Sequence, residues 1–316
     1  MTSHGILELS NYLVTSFLQL NIGQGDGHYT RVGAVGYGDN ATLQHSLTSF
    51  TSVNDLLSRF NPTIDGTKGS NIEAAIRLAQ DQFDSQGHRP NVKRVIILAA
   101  SHYEPGTSED PTQVAQQFRE DGGFLITLEY VQEHGAQVPI LADLASPCFA
   151  ISNSNADLHA VDLQNKLCMA NCFCLTNWEP YMINPTCNVP DGGCYYPVLI
   201  PAAEILAKAF CERQTGGMLV KVEDAAKAIF VNSMYSNTKE KTWIGLEYSP
   251  LKFGYVWDDG SNVGSYQPFA SRNISVTCVS QQPGSGFLTN WYPADCVEDH
   301  MYTCQSTPCS ADKYCP

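Results

Sequence analysis

Twelve cysteines, every one of them at or after position 148, constrain this 316-residue chain more than any other feature. An even set of half-cystines in a loop-rich, acidic stretch reads as a disulfide framework, because a reducing cytosol keeps thiols apart and an oxidising compartment joins them. Residues before Cys148 have no such staples and must hold together by a hydrophobic core alone. A 43% hydrophobic content over this length suffices for two domains. The sequons Asn40-Ala41-Thr42 and Asn273-Ile274-Ser275 agree with an exported glycoprotein. An excess of 32 acidic over 18 basic residues, a formal charge of -14, repels phosphate backbones and anionic lipid, so nucleic acid is not an expected partner. The opening MTSHGILELSNYLVTSFLQL has no basic start and is broken by Glu8, Ser10 and Asn11, so it reads as a helix rather than a signal peptide. No run reaches the length of a membrane span. The expectation is an extracellular protein whose signal peptide lies upstream of Met1.

The first half alternates strand and helix. A β-rich run at 31–38 is followed by a helix through Val53, Leu56, Leu57 and Phe60, a helix at 70–83 and a buried strand at 93–100. Another helix opens at Asp110-Pro111, and a strand covers 122–131. Strands spaced by helices imply a mainly parallel sheet with helices on both faces. The order of elements and the wording of IGQGDGHYTRVGAVGYG, GSNIEAAIRLA and KRVIILAASHYEPG resemble a von Willebrand factor A domain over residues 1–146. That resemblance implies a doubly wound α/β fold and a divalent-cation site built from D-x-S-x-S, a Thr and an Asp. Here the D-x-S-x-S and the strand that carries it would precede Met1, so the sheet is expected to lack its first strand and the domain to be truncated. Ser70 aligns with the Thr, and Ser101 with the Asp, where a hydroxyl cannot supply a carboxylate's charge. Ser70 also stands three residues before Glu73, the spacing of a capping box, and that is its expected role. No metal is expected. GQGDG (23–27) follows a helix and reads as a turn, and Ser101-His102 belongs to no hydrolase motif.

Residues 147–189 carry Cys148, Cys168, Cys172, Cys174 and Cys187 among Asn, Pro and Gly and read as a stapled linker. CMANCFC lacks paired C-x-x-C knuckles, so disulfides are expected rather than zinc.

From Cys194 the pattern gives a helix at 201–212, a strand at 218–222, a helix opened by Asp224, the strand TWIGLEY and a long aperiodic region from Pro250 to Cys278. Cys211, the Trp243-Ile244-Gly245-Leu246 strand, VWDDGSNV, Cys278, Cys296 and Cys304 resemble a C-type lectin-like domain, an α+β disulfide-bonded fold, over residues 190–306. The resemblance implies Cys211 paired with Cys304, Cys278 with Cys296 and, in an optional extension, Cys174 with Cys194. Pairing of Cys148, Cys168, Cys172, Cys187 and of Cys309 and Cys315 in the tail 307–316 stays open. The whole arrangement resembles secreted nematode C-type lectin-like proteins. Sugar-binding members of the family hold calcium through E-P-N or Q-P-D in the long loop and W-N-D before the next-to-last core cysteine. Here Trp291-Tyr292-Pro293 stands for the second and Gln267-Pro268-Phe269 is the nearest match to the first, so neither offers the oxygens calcium needs. Asp258 and Asp259 are read as capping a tight turn with Gly260 at positive φ, and Trp243 and Trp257 as core.

The expected function is non-catalytic recognition or adhesion, with a carbohydrate or protein ligand bound without calcium or another cofactor. The alternative is a calcium-dependent lectin with unorthodox ligands drawn from Asp258, Asp259, Glu298 and Asp299. No nucleophile, base and orienting group assemble into an enzyme, and a purely structural matrix role is the remaining class. Ligand identity and oligomeric state are not readable from these residues.

Overall fold

Helices of the amino-terminal half form where apolar residues recur every three or four positions, and each of the first three opens on a side chain that takes up an orphan amide. Thr2 caps α1 (Ser3–Phe17), Ser52 caps α2 (Val53–Arg59) and Asn71 caps α3 (Ile72–Asp84). Ser70 is not the cap. It stands one residue too early: its buried hydroxyl accepts from the Glu104 amide at 3.2 Å, while Glu73 pairs with Arg77. A computed structural model supplies these positions and describes residues 1–309 except 26, 28, 64, 65, 68, 86, 90, 91, 107, 133, 134, 155, 215, 236–239 and 285–287. Cys315 and the rest of the tail from 310 lie outside the described residues.

Two compact units make up the chain, Met1–Asn171 and Cys172–Pro316. In the first, β1 (Ala34–Tyr37) and β2 (Ala41–His45) pair antiparallel. β3 (Val95–Ala100), β4 (Phe124–Glu129) and β5 (Ala150–Ser152) form a parallel sheet in that order, linked through α4 (Thr112–Glu120) and α5 (Ile140–Leu144). The mainly parallel sheet is therefore two sheets among the described residues. Tyr37 ties them together, because its hydroxyl donates to the Ala99 carbonyl at 2.7 Å. Burial pushes that phenol's pKa well above its ordinary value. One core of Ile72, Ile76, Leu98, Phe118, Leu125 and Leu141 joins α3, β3, α4, β4 and α5. α6 (Ala160–Asn171) packs on α1. Residues 147–171, read from sequence as part of a linker, thus supply β5 and α6 to this unit, and 172–189 belong to the second.

The second unit contains β6 (Glu179–Pro180), β7 (Cys194–Ala202), α7 (Glu204–Arg213), β8 (Met218–Leu219), α8 (Ala225–Ser233), β9 (Thr242–Ser249), β10 (Gly254–Trp257), β11 (Cys278–Pro283), β12 (Thr289–Ala294) and β13 (His300–Ser306). Its sheet runs β12-β11-β9-β13-β7-β6, with β10 on β9 and β8 on β13. β9 is central and covered on both faces, so Thr242 to Leu246 are buried without alternation. Trp243 faces a core with Cys211, Cys278 and Cys304, while Ile244 and Leu246 face Val279, Trp257 and Trp291. Glycine is needed at 245, since a Cβ there would stand 2.8 Å from the Leu219 carbonyl and 2.9 Å from Asp258 Oδ2.

Disulfides Cys211–Cys304, Cys278–Cys296 and Cys174–Cys194 span 93, 18 and 20 residues of chain. Each narrows the unfolded ensemble of a unit whose loops are long. Cys148, Cys187 and Cys309 are also disulfide-bonded. Among the described residues no helix is long and apolar enough to cross a membrane.

Candidate functional site

Between β10 and β11 the chain makes its longest excursion without regular structure, residues 258–277. The excursion leaves through a tight turn: Gly260 has φ +78°, its amide donates to the Trp257 carbonyl at 2.8 Å, and Asp259 Oδ1 accepts from the Ser261 amide at 2.9 Å. Asp259 also meets Lys221 at 3.2 Å. Asp258 departs from the capping role read for it. Its carboxylate turns inward to Lys208, 2.9 Å away, and is 13% exposed.

The two segments matched to the calcium motifs meet. The Trp291 amide donates to the Pro268 carbonyl at 2.9 Å, and the Ala270 amide to the Trp291 carbonyl at 3.1 Å, so Phe269 and Trp291 stand side by side as a parallel bridge. Trp291 has no exposed surface. Phe269, Tyr266 and Trp257 meet it edge to face with centroids 5.3, 5.6 and 5.8 Å away, the geometry aromatic quadrupoles prefer. Tyr292 lies under the Lys241 ammonium at 5.3 Å, and Pro293 is opposite Val279. Rings occupy the place among the described residues. A hard cation that requires several oxygens does not fit these residues.

Outside the plug, the Arg272 guanidinium lies 5.2 Å from the Phe269 ring and donates to Gln267 Oε1 at 3.0 Å, while Gln267 Nε2 donates to the Gly264 carbonyl at 2.8 Å. Arg272 is exposed, and Tyr266, Gln267 and Phe269 are half-buried. The ridge therefore sets half-buried aromatic side chains beside an exposed, charged planar donor group, and a guanidinium of this kind stacks on aromatic faces. Sequence reasoning passed over Arg272. The available signal was a cation three residues after an aromatic that had replaced an acid. Asn273, next to it, is exposed, as is Asn40.

At the neck of the loop lies a second cluster that sequence reasoning missed because its members are 54 positions apart at the extremes, Glu204 to Asp258. Lys208 of α7 reaches Glu204 Oε1 at 2.6 Å, Glu247 of β9 in a close ion pair, and Asp258. Burial pushes the Glu204 carboxyl up to about 7 against the pull of Lys208, and burial likewise raises Asp258. Burial alone would lower Lys208, but hydrogen bonds to the three carboxylates outweigh it and the ammonium ends well above its ordinary range.

The remaining candidates disperse. Glu298 pairs with His300 at 3.2 Å. Among the described residues the one set of three metal-type side chains whose ligand atoms converge is Glu204, Glu247 and Cys278, and Cys278 is spent in a disulfide. In the first unit Ser70 is taken up by Glu104, and half-buried Ser101 follows β3 with exposed His102 after it. Serine hydroxyls at these two positions carry no charge for a divalent ion.

A model of the von Willebrand factor type A domain matches residues 1–166, and one of the C-type lectin domain matches residues 206–306. C-type lectin domain-containing protein 160 of Caenorhabditis elegans is 23% identical over 338 residues, covering 100% of this chain, which spans 52% of that relative's length. The Snaclec coagulation factor IX-binding protein of Protobothrops flavoviridis is, in one of its subunits, 30% identical over 140 residues, 42% of this chain and 99% of its own. The solved structure of human lithostathine matches 42% of this chain and 99% of its own length at 26% identity, with a TM-score of 0.36. With an α/β unit matched over its first half and a disulfide-bonded lectin fold after it, the chain belongs to the von Willebrand factor type A and C-type lectin families, the two domains in that order.

Proposed function

We propose that this is a secreted, non-catalytic recognition protein that binds a carbohydrate or protein ligand through the long-loop face of its lectin unit, without calcium in the motif position. The observation that supports the reading is the backbone pairing of Pro268–Ala270 with Trp291, which packs the Phe269 ring against Trp291 between the two segments that resemble the calcium motifs. The binding face is then the ridge of Tyr266, Gln267, Phe269 and Arg272. Recognition there rests on stacking and on the guanidinium's donors. Protein ligands belong to the class because the Protobothrops relative bears the name of a coagulation-factor binder. Export is supported by the disulfides, which an oxidising compartment forms and preserves. Both families are generally non-enzymatic, and no nucleophile, base and orienting group assemble in the residues above.

Glycan arrays and pull-downs from extracellular fluid, each run with calcium and with chelator, test this. Binding should survive chelation and fall by roughly tenfold in Arg272→Ala, the weight of one cation–π contact with its hydrogen bond. Loss of binding in chelator would return the calcium-dependent reading, and a flat response in both assays would leave a structural role.

A further inference from the structure

The first turn of α7 is apolar on its outer side. Glu204, Ala207 and Cys211 recur at helical spacing and are buried, while Ile205 and Leu206 between the first two are 71% and 63% exposed. The outer side of a surface helix ordinarily carries polar groups. The chain just before α7 repeats the pattern. Val198 pairs with Tyr302 and Ala202 with His300, so three residues of β7 stand opposite the single Met301 of β13. The excess chain buckles away from the ladder, and Leu199 and Ile200 reach 65% and 77% exposure. Val297 joins this corner at 76% exposure, in the turn that follows Cys296, whose carbonyl accepts from the Glu204 amide at 3.0 Å.

Five branched aliphatic side chains at these exposures offer on the order of 500 Å² of apolar surface. Each partner of a standard interface contributes roughly 800 Å², and in homodimers about 65% of that is apolar, so one copy carries the apolar core that such a contact needs. Composition selects the partner. Contacts between unlike proteins lean on Trp, Tyr and Arg, whereas the exposed residues from 199 to 206 are Leu, Ile, Pro, Ile and Leu. Extension of the sheet from copy to copy is disfavoured here. β6 lies along β7 at Cys194 and Tyr195, and further along Pro197 and Pro201 have no amide to donate. Side chains must therefore make the contact.

We propose that Leu199, Ile200, Ile205, Leu206 and Val297 form a self-association surface on which a second copy of this chain docks about a two-fold axis. In such an isologous contact the same side chains are buried on both copies, and the assembly closes at two chains. Charge opposes it. Each copy carries a formal -14, and Asp295, Glu298 and Asp299 are exposed beside Val297, so salt that screens this repulsion strengthens the pair. None of these residues belongs to the long-loop ridge. The test reads mass rather than ligand binding, so its outcome is distinct from that of the proposed function.

Sedimentation velocity of the whole oxidised chain, from nanomolar to hundred-micromolar concentration, supplies the test. The mass should rise from one chain to two with a midpoint at micromolar concentration or below, the range of interfaces of this size. In molar salt the midpoint should fall. Ile200→Asp and Ile205→Asp should each raise the dissociation constant roughly a hundredfold, the effect of an unpaired carboxylate in an apolar contact. Leu251→Asp, at an equally exposed apolar position in the turn between β9 and β10, should leave it unchanged. A chain monomeric throughout, growth beyond two chains, a dimer that salt dissolves, or one indifferent to both isoleucine substitutions or equally sensitive to Leu251→Asp would overturn the proposal. Hydrogen exchange on the native chain decides the matter if a variant fails to fold. Amides at 199–206 should gain protection as concentration passes through the midpoint, and unchanged protection would also overturn it.

Discussion

Glu204 shows how one side chain acquires a pH dependence from its surroundings. Its carboxyl titrates at about 7 when folded, against 4.5 for the ordinary group, so the folded form holds the proton more tightly than the unfolded one. The stability this adds is complete below the unfolded value and is lost as pH rises through the folded one. Buried Asp258 shifts in the same direction. The second unit should therefore melt several degrees higher near pH 5 than near pH 8, and Glu204→Gln should flatten that slope. A slope unchanged by the substitution would remove Glu204 as its source. Little of this was legible in the sequence, where Asp258 looked like one of two stray acids in WDDGS. The doublet alone cannot tell which carboxylate turns inward. Folding decides, because the Asp258 amide donates to the Gly245 carbonyl at 2.9 Å, and glycine at 245 leaves the space into which the carboxylate settles.

At the scale of elements, the first unit holds two sheets with different directions of pairing under one set of helices. α3 spans them, packing on β1 and β2 and sharing a core with β3. A direct polar link between them is the Tyr37 hydroxyl on the Ala99 carbonyl. Tyr37→Phe keeps the ring and removes the donor, leaving that carbonyl without this partner. Loss of about 1 kcal/mol is expected, the usual net value of such a bond, read from urea unfolding followed by far-ultraviolet circular dichroism. A variant as stable as the parent would show that α3 alone holds the sheets together. The periodicities located α3, β3 and β4 within a few residues, because hydrophobic spacing is a local property. They did not reveal that β1 and β2 stand apart from the parallel set, since pairing between strands is set by what lies beside them. The cap of α3 was misread for a similar reason: Ser70 and Asn71 are both competent caps, and the Glu104 amide claims the first.

Taken whole, the chain carries two cores, and its four tryptophans, at 178, 243, 257 and 291, all lie in the second unit. Tryptophan fluorescence therefore reports that unit alone. Adding a strong reductant should lower its urea midpoint sharply, each lost bridge costing roughly 2–5 kcal/mol, while part of the helical dichroism persists to higher denaturant. Coincident loss of both signals would mean that the units unfold as one. What the sequence determined by itself was the alternation of elements in the first half and the family of each half. Those rest on composition, local spacing and short motifs such as Trp-Ile-Gly-Leu, which survive without knowledge of contacts. The tertiary structure alone decided that Phe269 closes over Trp291 with Arg272 outside it, and that one lysine gathers three distant acids. Each requires residues far apart in the chain to share a few ångströms, and only the packing of α7, β9 and the long loop against one another fixes which of them do.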